Sequence, residues 1–363
     1  MTLGHHRGLD GLRAVAVLAV LLFHANVSWL EGGFLGVDLF FVLSGFLITR
    51  LLLDERAMTG AIGLGRFYVR RALRLFPALA LLIVAVLVYA QVHLDAAQAS
   101  RAFHDAFATA TYHMNWRLAL FDRSPFGRFD HAWSLAIEEQ FYVAWPLLLV
   151  IIHRRWGARG VAYAAATGVI LSAGLRVLLT AADTAERRIY YGLDTHADGV
   201  LLGAALAALT VVVGVPELRR RLPSWAGGAA LAVIAFAFVR FVRGSTFVDV
   251  AGLLLVEAAA AVVVLDVVSG GAMARLLDRR ALVAIGLISY GVYLWHWPVY
   301  LAITAGEVPQ GDVALLAARL AVTFSLAAIS YWFVERPFLA RQRRFRVSAA
   351  GAGAAPGRAG PTR

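Results

Sequence analysis

Long apolar runs, separated by short arginine-bearing segments, dominate the chain. A membrane-crossing helix needs about 20 consecutive, mainly apolar residues. Ten segments meet that pattern: 12–30, 34–53, 75–92, 134–152, 160–180, 196–214, 225–239, 248–268, 282–303 and 313–334. An eleventh stretch, 103–120, carries His104, Asp105, His113, Asn115 and Arg117, and reads as a loop helix on the outer face. The pattern predicts an all-α, polytopic membrane protein with about ten transmembrane helices and one integral-membrane domain over 1–340. Residues 341–363 turn basic and then Ala/Gly/Pro-rich, which predicts a disordered cytoplasmic tail. No internal repeat is evident, and no stretch has the length expected of a separate soluble domain.

Composition supports the pattern. Hydrophobic residues make up 60% and charged residues 16%, which excludes a disordered chain and argues against an ordinary soluble enzyme. The formal charge of +11 comes from arginine, since all 34 basic residues are Arg. They lie in short runs rather than on one water-facing surface, so no nucleic-acid partner is expected. Cytoplasmic loops hold the excess of positive charge. With the N-terminus inside, 23 arginines fall on the cytoplasmic side and eight outside, while Arg50, Arg176 and Arg319 lie within or at the ends of spans. An eleventh span would invert the later segments and put Arg219, Arg220 and Arg221 outside. Both termini are therefore expected in the cytoplasm, in a multi-pass membrane protein with lipid around it. The first apolar stretch is too long for a signal peptide. With no cysteine, disulfides, an acyl-cysteine intermediate and thiolate metal sites are excluded; no metal and no bound cofactor are expected.

A charge near the bilayer centre costs at least about 2.5–3.5 kcal/mol on insertion scales, so intramembrane ionisable residues are the best functional leads. His24 follows Arg13 by eleven residues, a rise of ~16 Å along a helix. His24, Asp38, Glu138, Glu139, His196, Asp198 and His296 all map to the outer half of their spans. Each could instead be a structural hydrogen bond or an ordinary polar helix start. On the inner side, Arg66, Arg70, Arg71 and Arg74 cluster before the third span. Arg70 and Arg74 are i,i+4, and Arg71 and Arg74 are i,i+3, so either pair can converge. Guanidinium groups on one face suit a phosphorylated ligand; topological charge and lipid headgroup contact are the competing reading.

At these residues the sequence resembles acyltransferase family 3, integral-membrane bacterial acyltransferases that act mostly on carbohydrates. The similarity covers about residues 8–338. G-L-D-G-L-R-A-V-A-V followed by His24 fits the family's R-x10-H pattern, with Arg13 as its arginine. G-G-F-L-G-V-D-L-F-F-V-L-S-G-F-L-I-T at 32–49 holds Asp38 and Ser44, and F-Y-V-R-R-A-L-R-L-F-P at 67–77 supplies R-x-x-R as Arg71 and Arg74. W-S-L-A-I-E-E-Q-F-Y at 133–142, S-Y-G-V-Y-L-W-H-W-P at 289–298 and V-E-R-P-F at 334–338 complete the series.

The resemblance implies an acyl donor, usually acetyl-CoA from the cytoplasm, and an acceptor hydroxyl on a sugar, envelope glycan or glycosylated metabolite. Some relatives carry an extracytoplasmic hydrolase-like domain, so either a separate transferase partner or the membrane domain itself would finish the transfer. His24 is the expected general base, because an imidazole can take and return a proton near neutral pH; a covalent acyl-His24 intermediate stays open. A carboxylate is expected to orient the ring, with Glu139 first and Glu138 and Asp38 behind it. Arg13, Arg71, Arg74 and Arg70 are the expected donor-binding residues. His296, Tyr290, Trp133, His196 and Asp198 are the expected acceptor-side residues, although Trp is also common in interface belts. The rival reading is a transporter or flippase of an acyl donor or glycolipid, which intramembrane charges also fit.

Overall fold

The computed structural model describes residues 4–121, 127–304 and 312–342, and every regular element among them is helical, with no strand. The first helices are α1 (Arg7–His24), α2 (Gly36–Thr59), α3 (Leu64–His93), α4 (Ala96–Ala110), α5 (Met114–Leu120) and α6 (Ala132–Ala181). Shorter pieces follow: α7 (Glu186–Tyr191), α8 (Leu193–His196), α9 (Asp198–Val212), α10 (Val215–Arg220) and α11 (Ala226–Arg240). The rest are α12 (Leu253–Val268), α13 (Ala272–Leu277), α14 (Arg280–Leu287), α15 (Ser289–Ala302), α16 (Asp312–Ser330) and α17 (Arg336–Gln342).

Among the described residues, five helices are long and apolar enough to cross a membrane: Gly33–Thr59, Leu64–His93, Ala132–Ala181, Val248–Val268 and Val313–Arg341. The pair α14 and α15, bent by 69°, makes a sixth if it counts as one span. This is fewer than the ten apolar segments of the sequence, and the differences have local causes. The expected segments 134–152 and 160–180 both lie in the 50-residue α6, interrupted at Gly157 (φ 63°). A positive φ is readily available to glycine, so the helix turns at one residue rather than through a loop. The expected segments 196–214 and 225–239 become α9 and α11, of 15 residues each, about 22 Å long at the helical rise. The first segment stops at His24 rather than residue 30, with Asn26 in the left-handed region at φ 58°. The stretch 103–120 divides between α4 and α5. The tail expected beyond 342 lies outside the described residues.

Glycines let the helices that carry the chemistry pack backbone to backbone, the usual device where lipid offers no hydrophobic drive between helices. A Cβ on Gly45 of α2 would lie 1.8 Å from the Val200 carbonyl of α9, and one on Gly203 of α9 would lie 2.0 Å from the Val42 carbonyl. Around α1, a Cβ on Gly36 would meet the Ala16 carbonyl at 2.3 Å, and one on Gly286 would meet the Asp10 carbonyl at 1.9 Å. The helix bearing Arg13 and His24 is thus clasped by α2 and α14.

Candidate active site

Two cavities lie along α1. The arginine cavity, of ≈ 80 Å³, is lined by Arg13 of α1, Ser44 of α2, Arg71 and Arg74 of α3, Glu138 and Tyr142 of α6, and Tyr290 and Tyr293 of α15. Arginines distant in sequence converge here. The Arg71 guanidinium lies 3.6 Å from the centre of the Tyr142 ring, a cation–π distance. Its Nη2 donates to Glu139 Oε1 at 3.4 Å. Glu138 accepts the Ser44 hydroxyl at 2.5 Å. Arg13 lies 3.6 Å from Asp10, one turn back on its own helix.

The histidine cavity, of ≈ 410 Å³, is lined by His24, His131, Trp133, Tyr191, Arg243, Trp297, Tyr300 and Arg319, among others. His24 Nδ1 lies 3.2 Å from His296 Nε2. His296 Nδ1 lies 2.5 Å from the Tyr293 carbonyl. A carbonyl only accepts, so that nitrogen carries the proton and Nε2 of a neutral His296 is an acceptor. His24 Nδ1–H is therefore shared between this nitrogen and the backbone of Val20, one turn back, which leaves the lone pair on His24 Nε2. The Trp297 ring packs edge-on at 4.9 Å from the His24 ring.

The two cavities share a wall. Ser134 Oγ and Tyr293 Oη, both on the arginine side, are 2.5 Å apart. Tyr293 Oη also donates to the carbonyl of His131, on the histidine side, at 2.8 Å.

Several sequence expectations are corrected here. Among the described residues no carboxylate is hydrogen-bonded to His24: Glu139 is turned to Arg71, Glu138 to Ser44 and Asp38 to His196. The ring partner is a second histidine. Arg70 does not join the arginine cavity; it lies 3.5 Å from Glu55, which Arg66 also meets at 2.9 Å. Tyr290 lines the arginine cavity rather than the histidine cavity, and donates to the Leu75 carbonyl at 3.0 Å. His196 and Asp198 line neither cavity. His196 Nε2 contacts Asp38 at 2.9 Å, and Asp198 holds Arg176 at 2.6 Å, with Glu257 fully buried nearby. Asp38, His196 and Glu257 present ligand atoms within 4.8 Å of one another, a spacing a metal ion could use. Arg176 already brings positive charge to this cluster, which ties α2, α6, α9 and α12 together. Trp133 does line the histidine cavity, with its ring 4.8 Å from that of Tyr190.

The sequence matches known proteins. A family model described as an acyltransferase domain, that of acyltransferase family 3, covers residues 6–335. The chain belongs to this family. As an acyltransferase family 3 domain it is 36% identical over 346 residues to the peptidoglycan O-acetyltransferase OatA of Listeria monocytogenes, covering 91% of this chain and 55% of that protein. It is also 36% identical over 361 residues to a Bacillus subtilis protein provisionally named peptidoglycan O-acetyltransferase YrhL, covering 94% and 56%. A Staphylococcus aureus protein, provisionally named an O-acetyltransferase, is 34% identical over 349 residues, covering 91% and 57%. The chain spans a little over half the length of these curated relatives. No solved structure matches it significantly.

Sequence reasoning gave no role to four residues of this candidate site, although Ser134 was weighed as a nucleophile and set aside and Arg319 was placed within or at the end of a span. His131 precedes the apolar run that marked its span. Ser134 and Tyr293, the wall, carry no charge to single them out. Arg319 interrupts an apolar run and could have been found on that ground alone.

Proposed function

We propose that the domain transfers an acetyl group from acetyl-CoA to a hydroxyl of a sugar or envelope glycan. One observation carries the reading: Arg13 and His24, on a single clasped helix, line two cavities that share the Ser134–Tyr293–His131 wall. The arginine cavity receives the CoA end of the donor, with Arg13, Arg71 and Arg74 supplying donors for phosphate oxygens. The histidine cavity receives the acceptor. His24 Nε2 takes the acceptor hydroxyl proton as the alkoxide oxygen attacks the thioester carbonyl. The C–S bond then breaks, and the proton on His24 passes to the departing CoA thiolate. His296 holds the His24 tautomer and takes part through that ring alone.

The same reading places the arginine cavity toward the cytoplasm, where acetyl-CoA is made, and the histidine cavity toward the opposite face. That agrees with both termini inside a bacterial cytoplasmic membrane and with about ten crossings, the shorter helices included. No resident cofactor is required. The alternative route within this reading passes the acetyl group to an extracytoplasmic transferase partner. Similarity to proteins named as O-acetyltransferases favours this chemistry over transport of an intact donor. The test is the full chain in lipid nanodiscs, given radiolabelled acetyl-CoA and an envelope glycan extract. Free CoA released in step with labelled glycan supports the reading. Donor that is bound or moved across vesicles without thioester cleavage overturns it in favour of transport.

A further inference from the structure

The histidine cavity holds more polar capacity than the acetyl-transfer step uses. His131 is 3% exposed, and among the described residues its ring makes no side-chain hydrogen bond and meets only the Leu294 backbone. The Tyr300 hydroxyl, in a residue also 3% exposed, has no hydrogen-bond partner among the described residues. Buried polar groups are rarely left unpaired in a working protein, and both residues line this cavity.

Arg319 adds a charge. It lies in α16, part of a stretch apolar and long enough to cross the membrane, and it faces the cavity. Its Nε donates to the Ile303 carbonyl at 3.0 Å and its Nη2 to the Tyr300 carbonyl at 3.1 Å. These bonds fix the guanidinium but do not neutralise it, and among the described residues no carboxylate meets it. Arg243, across the cavity, differs: its Nε bonds Glu186 at 2.9 Å and its Nη2 the Tyr191 hydroxyl at 2.9 Å. Asp130, the acid on the lining, accepts the Gly127 N–H at 2.6 Å. A fixed guanidinium in an apolar helix, with N–H groups to spare beside an unpaired buried hydroxyl and an under-used buried imidazole, describes a site for an anion carried on a polar ligand.

We propose that this cavity is an acceptor subsite for a glycan bearing an acidic group. A carboxylate or phosphate oxygen takes the remaining N–H groups of Arg319, and sugar hydroxyls pair with His131 and Tyr300. The inference rests on the acetyl-transfer reading, in which the acceptor enters beside His24.

Trp133 and Trp297 line the same cavity, so binding can be read by tryptophan fluorescence with no acyl donor present. The full chain in nanodiscs is titrated with three trisaccharides of similar size: one neutral, one uronate-containing, one phosphorylated. At least one acidic sugar should bind about tenfold tighter than the neutral one, the worth of one charge-assisted hydrogen bond. The stronger of the two acidic arms tells carboxylate from phosphate. The preference should vanish in Arg319→Gln and persist in part in Arg319→Lys. Equal binding of neutral and acidic sugars by the unaltered chain overturns the proposal and needs no variant to fold. An acid preference that survives Arg319→Gln overturns it as well. Because no donor is used, failure of acetyl transfer would leave this result readable.

Discussion

The two cavities flanking α1 differ in how their polar atoms are employed. In the arginine cavity the acid on the lining already has a partner: Glu138 accepts the Ser44 hydroxyl, and just outside the lining Glu139 holds the Arg71 guanidinium. In the histidine cavity the Tyr300 hydroxyl has none among the described residues, and the His131 ring meets only the Leu294 backbone. The first encloses ≈ 80 Å³ and the second ≈ 410 Å³. A small cavity whose acid is bonded, and whose Arg71 keeps Nε unpaired among the described residues, is suited to one fixed anionic group that recurs in every turnover, such as that of a CoA thioester. A larger one with idle donors and acceptors is suited to a ligand that brings its own hydrogen bonds. Under the proposed acetyl transfer the contrast puts donor and acceptor at different ends of one helix, and it can be broken at either end.

The largest effect is expected at His24. His24→Ala and His24→Gln should lower kcat by about 10²–10⁴-fold, the range for loss of a general base. Helical content and the thermal midpoint should not change, because α1 is held by its glycine contacts rather than by this ring. Turnover near normal in either variant would remove His24 as the base and, with it, the assignment of the histidine cavity to chemistry.

His296 should come next. As a positioning residue it acts only through the tautomer of His24, so His296→Ala should cost roughly 10–100-fold in kcat, the scale seen when a group orienting a functional histidine is lost. His296→Gln, which can still accept from His24 Nδ1–H through its amide oxygen, should recover part of that loss. The pH–rate profile should move in His296→Ala and return toward normal in His296→Gln. A loss without any movement of the profile would mean a packing role.

Sequence alone made part of this visible. Arg13 and His24 were legible because a single helix fixes their separation, and Arg71 with Arg74 because i,i+3 spacing on a helix leaves few alternatives. Asp38, His196 and Asp198 misled because a polar residue near a helix start can turn toward a cavity or toward a neighbouring helix. The choice was made by Gly45 and Gly203, which let α2 and α9 approach until Asp38 meets His196. Such backbone contact leaves no periodic mark in a sequence. The number of crossings suffered similarly, since Gly157 permits a one-residue break where arginine-rich sequence suggested a loop. His131 and Arg319 were present in the sequence, but their value depends on what they lack in space, and that no spacing rule reveals.

The donor end should respond more mildly, and in KM. Arg71→Ala combined with Arg74→Ala should raise the KM for acetyl-CoA about tenfold or more, since charge-assisted hydrogen bonds to phosphate are lost. The change in kcat should be smaller. A donor KM that does not move would transfer the arginine cavity to a lipid-anchoring role and leave the histidine cavity without an assigned donor.

The smallest effect, at Arg70, separates the two arginine pairs that spacing allowed. Arg70 and Arg74 share a helix face by the i,i+4 rule, yet α3 commits Arg70 to Glu55 while Arg71 and Arg74 line the cavity. Arg66 also meets Glu55, and Glu55 Oε1 accepts the Gly63 N–H at 3.2 Å, so the carboxylate keeps partners when Arg70 is removed. Arg70→Ala should therefore lower stability by only about 1 kcal/mol, within the range for one hydrogen-bonded contact, seen as a lower thermal midpoint in detergent. Its donor KM should equal that of the unaltered chain. If the KM rose as far as in the Arg71 and Arg74 variant, charge over the whole inner face would be drawing the donor in. The cavity would then be one part of a broad electrostatic surface rather than a defined phosphate site.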